Sequence, residues 1–96
     1  MASIRTAVIG IGNMGTAHAR TIFDGRIKGM ELTAVCDINP QRLKECETLF
    51  PGIRYFPDAL SLAESGVADA VIVAVPHPLH GEIGSLCLSH GLHTLV

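Results

Sequence analysis

The chain has no tryptophan, one tyrosine and three phenylalanines, so aromatic residues make up only 4% of it. A core made from such material has to be aliphatic, drawn from Val, Ile, Leu and Ala. Long apolar runs are missing as well. The longest uninterrupted one, Ala70 to Val75, falls far short of the ~20 residues a bilayer-spanning helix needs, so no membrane partner is expected. Basic charge is not in excess: seven Lys and Arg against nine Asp and Glu leave a formal net charge of −2, which argues against nucleic acid as a partner. No secretory leader is visible, because Met1-Ala2-Ser3-Ile4-Arg5 runs straight into a structured segment. The three cysteines, Cys36, Cys46 and Cys87, form no C-x-x-C pair and leave an odd one out. Buried reduced thiols in a cytoplasmic setting are the simplest reading.

What is present is an apolar, globular composition, 48% hydrophobic and 17% charged over 96 residues. That is room for one small domain, near the size at which a single core folds unaided. Strand and helix patterns alternate along it. Ile4 to Gly10 reads as a strand and about Met14 to Ile27 as a helix. Glu31 to Cys36 reads as a second strand, and Asn39-Pro40 as the cap and first residue of a second helix. Leu43, Cys46, Leu49 and Phe50 recur at helical spacing and predict its buried face. Pro51-Gly52 stops that helix, and a short edge strand is expected around Ile53 to Phe56. A helix from Asp58 to about Ser65 follows, ended by Gly66.

Ala70 to Val75 is apolar at every position, as in a parallel strand covered by helices on both faces. A helix from about Leu79 to His90, with Ile83, Leu86, Cys87 and His90 on one side, leads to a fifth strand over Leu92 to Val96. Such alternation implies parallel pairing through right-handed crossovers. The expected fold class is α/β, a doubly wound parallel sheet of five strands in the order 3-2-1-4-5. Ending on a buried-type strand reads as truncation, with the chain cut from a longer protein.

Directly after the first strand stands Gly10-Ile11-Gly12-Asn13-Met14-Gly15, a G-x-G-x-x-G. A bound pyrophosphate explains each glycine: a tight turn at the first, backbone approach at the second, close helix packing at the third. The helix that follows offers free N–H groups and about half a positive charge to the anion. Asp37 ends the second strand, about 20 residues on, where this Rossmann pattern carries the acid that binds the adenosine ribose. A plain glycine turn followed by a capping Asp is the blander alternative.

A carboxylate there also disfavours a 2′-phosphate, by roughly 1–4 kcal/mol at about 4 Å. NAD is therefore the expected cofactor, with NADP as the second choice. Arg42, in the first turn of the next helix, either swings toward such a phosphate or stays a solvated surface residue. The loop Val75-Pro76-His77-Pro78-Leu79-His80 should border the cofactor too, since ligands bind at the carboxyl ends of strands near the switch point. His77 and His80 either face the ligand or simply face water.

These pieces resemble the N-terminal domain of the Gfo/Idh/MocA oxidoreductases, which include glucose–fructose oxidoreductase and inositol dehydrogenase. The likeness rests on residues 8–15, Leu32-Thr33-Ala34-Val35-Cys36-Asp37, Asp69 through Pro76 with His80, and the closing Gly91-Leu92-His93-Thr94-Leu95-Val96. It implies an NAD(P)-dependent dehydrogenase or reductase acting on a sugar, cyclitol or related hydroxyl compound. By position it implies that Gly10, Ile11, Gly12, Asn13, Met14 and Gly15 meet the pyrophosphate and Asp37 the ribose. Pro76 and His80 would lie along the nicotinamide side. His77 departs from the family pattern, which often has Asn there. The family's Glu-Lys-Pro signature and its second α/β domain, with the downstream catalytic residues, have no counterpart in these residues. No catalytic residue is therefore assigned, and residues 1–96 are expected to grip cofactor without turnover.

The expected partners are the dinucleotide and, in the parent protein, a small-molecule substrate, with an exposed fifth strand inviting a homo-oligomer. Two other classes remain in view: a non-catalytic NAD-sensing or scaffold protein, and a methyltransferase, which Gly15 disfavours. A metal site is not expected, because Cys87, His90 and His93 straddle a helix end and do not converge.

Overall fold

The computed structural model describes residues 3–76 and 79–95. Strands and helices alternate as β1 (Ile4–Ile9), α1 (Asn13–Phe23), β2 (Met30–Cys36), α2 (Pro40–Leu49), β3 (Arg54–Phe56), α3 (Ala59–Glu64), β4 (Ala70–Val73), α4 (His80–Ser89) and β5 (His93–Leu95). The strands form one sheet in the order β3-β2-β1-β4-β5, every neighbouring pair parallel. This is the doubly wound topology expected of the residue pattern, with its switch point between β1 and β4.

Two aliphatic cores hold the layers together. On one face Val8, Leu32 and Val35 meet Ala19 and Ile22 of α1, Cys46 of α2 and Phe50 just after it. On the other, Ala7, Ile9, Ala34, Val71 and Val73 meet Leu62, Ala63 and Cys87 from α3 and α4. Phe50, Ile22 and Leu62 are among the largest fully buried side chains, each contributing roughly 1.5–3 kcal/mol of transfer free energy.

Three expectations need correction. The first helix ends at Phe23, not near Ile27. Gly25 adopts φ +75°, its N–H bonds the Ile22 carbonyl and the Arg26 N–H bonds the Thr21 carbonyl. This paired closure reverses the chain through a residue without a Cβ, and the helix cannot continue past it. Within α2, Leu49 points outward at 39% exposed, while Cys46 and Phe50 carry the buried face. His90, just past the end of α4, is exposed, its Nδ1 lying 2.9 Å from the Leu86 carbonyl oxygen.

The third correction concerns β4, which ends at Val73 and is not covered on both faces. Val71 and Val73 are buried but Ala70 and Ile72 only half so. Right-handed crossovers put α1 and α2 on one face and α3 and α4 on the other, so the quadrant beside α1 over β4 and β5 has no helix of its own. The pairing with β1 closes just past Val73, where the Ala74 N–H bonds the Ile9 carbonyl at 2.8 Å, and β1 itself turns at Gly10, whose φ is +93°. Among the described residues, no helix is long and apolar enough to cross a membrane.

Candidate dinucleotide site

A cleft of about 1020 Å3 opens at the carboxyl ends of β1, β2 and β4. That matches the upper end of the roughly 300–1,000 Å3 typical of small-molecule sites. Gly10, Gly12, Asn13 and Met14 line it from one side, Asp37, Ile38 and Arg42 from another, and Val75, Pro76 and Leu79 from the third.

The three glycines divide the work physically. Gly10 adopts φ +93°, and a Cβ there would sit 2.8 Å from the carbonyl oxygen of Ala74. Gly15 is buried, and a Cβ there would run into the carbonyl oxygen of Gly10. The two together let α1 start hard against the sheet. Gly12 differs: a Cβ on it would meet only the Arg42 guanidinium, 3.8 Å away. Its missing side chain leaves open space on the cleft side, where a large group can approach the backbone.

At that point α1 begins without a side-chain cap. Gly12 contributes only its carbonyl, which accepts the Thr16 N–H at 2.9 Å. The first N–H groups of a helix need partners from outside it, and an anion supplies them. The residues present therefore fit a diphosphate at this turn.

Asp37 is the only acidic residue among the buried polar positions described, at 6% exposed. Its Oδ2 accepts the Ile11 N–H at 2.8 Å and its Oδ1 accepts the Asn39 N–H at 2.8 Å. Arg42 reaches over it, with Nη1 3.9 Å from Oδ2, and remains half exposed. The sequence left Arg42 between a solvated and a site role; it borders the cleft beside the acid.

Other expected site residues divide. Gly10, Gly12, Asn13, Met14, Asp37 and Pro76 come together on the cleft. The side chain of Ile11 is buried in the core with α1 and α2, so only its backbone stands at the site. Gly15 acts by packing rather than by lining. His77 and Pro78 lie outside the described residues, as does the side chain of His80, although His80 opens α4. The reading missed Ile38, a cleft residue 82% exposed beside the acid, and also His18 and Ile83. An isoleucine between Asp37 and a helix-capping Asn was a usable signal for the first; nothing marked the other two.

The thiols are not poised to react. Burial, helped by the neighbouring negative charge of Asp37, pushes Cys36 up to about 12, and burial likewise pushes Cys46 up to about 11. All three cysteines are free and buried. Among the described residues, no cluster of three or more His, Cys, Asp or Glu is arranged to hold a metal ion.

Comparison with known proteins bears on the same residues. Inositol 2-dehydrogenase of Rhodococcus jostii is 35% identical over 88 residues, covering 92% of this chain and 24% of that protein. The apo scyllo-inositol dehydrogenase of Lactobacillus casei shares the fold with a TM-score of 0.90, at 24% identity over 97% of this chain and 27% of its own. The WlbA dehydrogenase of Bordetella pertussis, solved with NADH and UDP-GlcNAcA, superposes with a TM-score of 0.87 at 29% identity, covering 96% of this chain and 28% of its own. The chain thus spans about a quarter of the length of the relatives it matches. A family model described as an oxidoreductase family with an NAD-binding Rossmann fold matches residues 4–96, and the chain belongs to that Gfo/Idh/MocA family.

Proposed function

We propose that this chain is the dinucleotide-holding domain of an NAD-dependent oxidoreductase that moves hydride to or from a sugar, cyclitol or related hydroxyl compound. The observation that carries the reading is the uncapped start of α1 beneath Gly12, with a buried carboxylate on the opposite rim. In this reading Gly10, Ile11, Gly12, Asn13, Met14 and Gly15 shape the turn for the diphosphate. Asp37 takes the adenosine ribose hydroxyls on its remaining lone pairs, and Ile38 gives the adenine an apolar rest. Pro76 and His80 lie along the nicotinamide half. NAD itself supplies the hydride chemistry when bound; the protein binds and orients it.

The substrate class follows from relatives whose names specify inositol, together with a neighbour crystallised with a nucleotide sugar. No side chain described here is assigned a proton-transfer role. We therefore assign that role to residues outside this domain, in a larger parent protein, and expect none of its turnover from residues 1–96 alone. Free buried thiols fit a reducing cytoplasm, and the exposed strand β5 offers an edge for pairing with a second copy.

Calorimetric titration with NAD, NADP and ADP-ribose tests the reading. NAD and ADP-ribose should bind the same site and NADP more weakly, since Asp37 opposes a 2′-phosphate. Equal or tighter NADP binding overturns the preference, and no binding of any of the three overturns the site.

A further inference from the structure

The turn between β1 and α1 has a mechanical problem that its chemistry creates. The close Ala74 carbonyl and a positive φ require glycine at position 10, open space for a diphosphate requires it at position 12, and glycine is the residue with most backbone freedom to lose. A turn that has to present its amides in one orientation is therefore built from the least constrained material. Something has to hold it.

The structure shows what does. The Gly10 N–H bonds the Cys36 carbonyl at 2.8 Å, and the next N–H, that of Ile11, bonds Asp37 Oδ2 at 2.8 Å. Successive amides of the turn are thus tied to successive residues at the end of β2. The second tie is buried and spans 26 positions in the chain. Being to a carboxylate, it is roughly twice as strong as a neutral hydrogen bond. The Ile11 side chain is sunk in the core at 5% exposed, so this residue is fixed at both ends between two glycines. The other carboxylate oxygen is anchored by the Asn39 N–H, which stops the group from rotating away.

We propose that Asp37 is a positioning residue for the phosphate grip: its carboxylate braces the glycine turn in the shape that receives a diphosphate, in addition to any contact with the sugar. The proposal rests on the reading of that turn as the diphosphate site. Each carboxylate oxygen has two acceptor positions, so the brace and a ribose contact coexist. A consequence concerns cofactor exchange: replacing the acid to admit a 2′-phosphate also loosens the turn, and so weakens binding of either dinucleotide.

The test compares ADP with 2′,3′-dideoxyadenosine 5′-diphosphate, which keeps the diphosphate and lacks both ribose hydroxyls, on the wild-type chain and on Asp37→Ala, which removes the charge and both acceptor oxygens. The two ideas differ in sign for the dideoxy ligand. Removing a negative charge beside a diphosphate should, by Coulomb's law alone, leave its affinity unchanged or raise it. Loss of the brace should lower it tenfold or more, on the scale of one hydrogen bond to a charged group. A dideoxy affinity that is unchanged or raised, while ADP weakens, sinks the brace and leaves the diphosphate site standing. If the wild type binds neither nucleotide, the diphosphate reading fails and the brace falls with it.

A measurement on the unliganded wild type covers the case in which the variant does not fold. Scalar coupling across the hydrogen bond from the Ile11 amide nitrogen to the Asp37 Cγ, with slowed exchange of that amide, is expected. Absence of the coupling together with fast exchange overturns the proposal.

Discussion

The starts of α1 and α2 lie at the ends of neighbouring strands and solve the same problem in opposite ways. At α2, Asn39 caps the helix, its Oδ1 accepting the Gln41 N–H at 2.9 Å and the Arg42 N–H at 3.4 Å, and Pro40 removes a further donor. α3 is closed likewise by Asp58, which accepts the Ser61 N–H at 2.7 Å. At α1 the capping position is Gly12, which has no side chain to offer. A finished helix start is stabilised by its own residues; an unfinished one leaves its first N–H groups to water or to a ligand, and at α1 they face the cleft. The two differ by little more than one side chain, yet one is scaffold and the other is the proposed diphosphate site.

The strongest way to break that comparison is through the glycines. Gly15→Ala would drive a methyl group into the carbonyl of Gly10, which is backbone and cannot swing aside. Destabilisation at or above the upper end of the roughly 1–3 kcal/mol seen for overpacking is expected, with NAD binding lost alongside. Urea unfolding checks it; a midpoint matching the wild type would mean the helix does not rest on the sheet there. Gly12→Ser should separate stability from affinity. Position 12 has the extended backbone of an ordinary cap (φ −82°, ψ −160°), so a serine fits without strain. Its hydroxyl can close the helix start, raising stability by a few tenths of a kcal/mol. The same hydroxyl would occupy the donors and space that the proposed function gives to a diphosphate, and NAD affinity should fall at least tenfold by calorimetry. Unchanged affinity would argue that the ligand does not use this turn.

Much of the fold was legible because it is written locally. Alternating apolar runs gave the strands, Asn39-Pro40 gave the start of α2, and one pattern of crossovers leaves few strand orders. The glycine motif was legible for a different reason: each glycine answers a distinct steric demand, and all three demands appear at Gly10, Gly12 and Gly15. What escaped depends on tertiary geometry. An all-apolar β4 looks covered on both faces, but Ile72 is half-exposed because no crossover returns over that quadrant. Arg42 and Gly12 are far apart in sequence and meet only once α2 packs. The Asp37 carboxylate reads as a sugar contact from its position, whereas its bond to the Ile11 N–H needed the folded chain.

A smaller effect sharpens the contrast from the scaffold side. Asn39→Ala removes the α2 cap and should cost about 1 kcal/mol of stability. NAD affinity should change less than with Gly12→Ser, because Asn39 contributes its backbone N–H, not its side chain, to anchoring Asp37. Parallel denaturation and calorimetry on the two variants would give opposite rankings in stability and in binding. The same ranking in both would erase the distinction between the two helix starts.

The smallest expected effect is in acid. Asp58 is held below its ordinary carboxylate value by the Ser61 N–H and hydroxyl, and Asp69 by its hydrogen bonds from Arg5. Both groups are exposed, so each acts weakly through solvent. The sign is fixed by linkage: a carboxylate with a lowered folded pKa stabilises the protein above its ordinary unfolded value, 3.8 for both, and that contribution fades as pH falls through the folded value. Melting temperature should therefore be flat above about pH 5 for these two groups and decline below about pH 4. Asp58→Asn retains a side-chain oxygen that can cap α3 but does not titrate. Its acid decline should be shallower than that of the wild type, with little change near neutrality. An equally steep decline in the variant would mean that the capped start of α3 owes nothing to its charge, and that the closed helix starts are held by hydrogen-bond geometry alone.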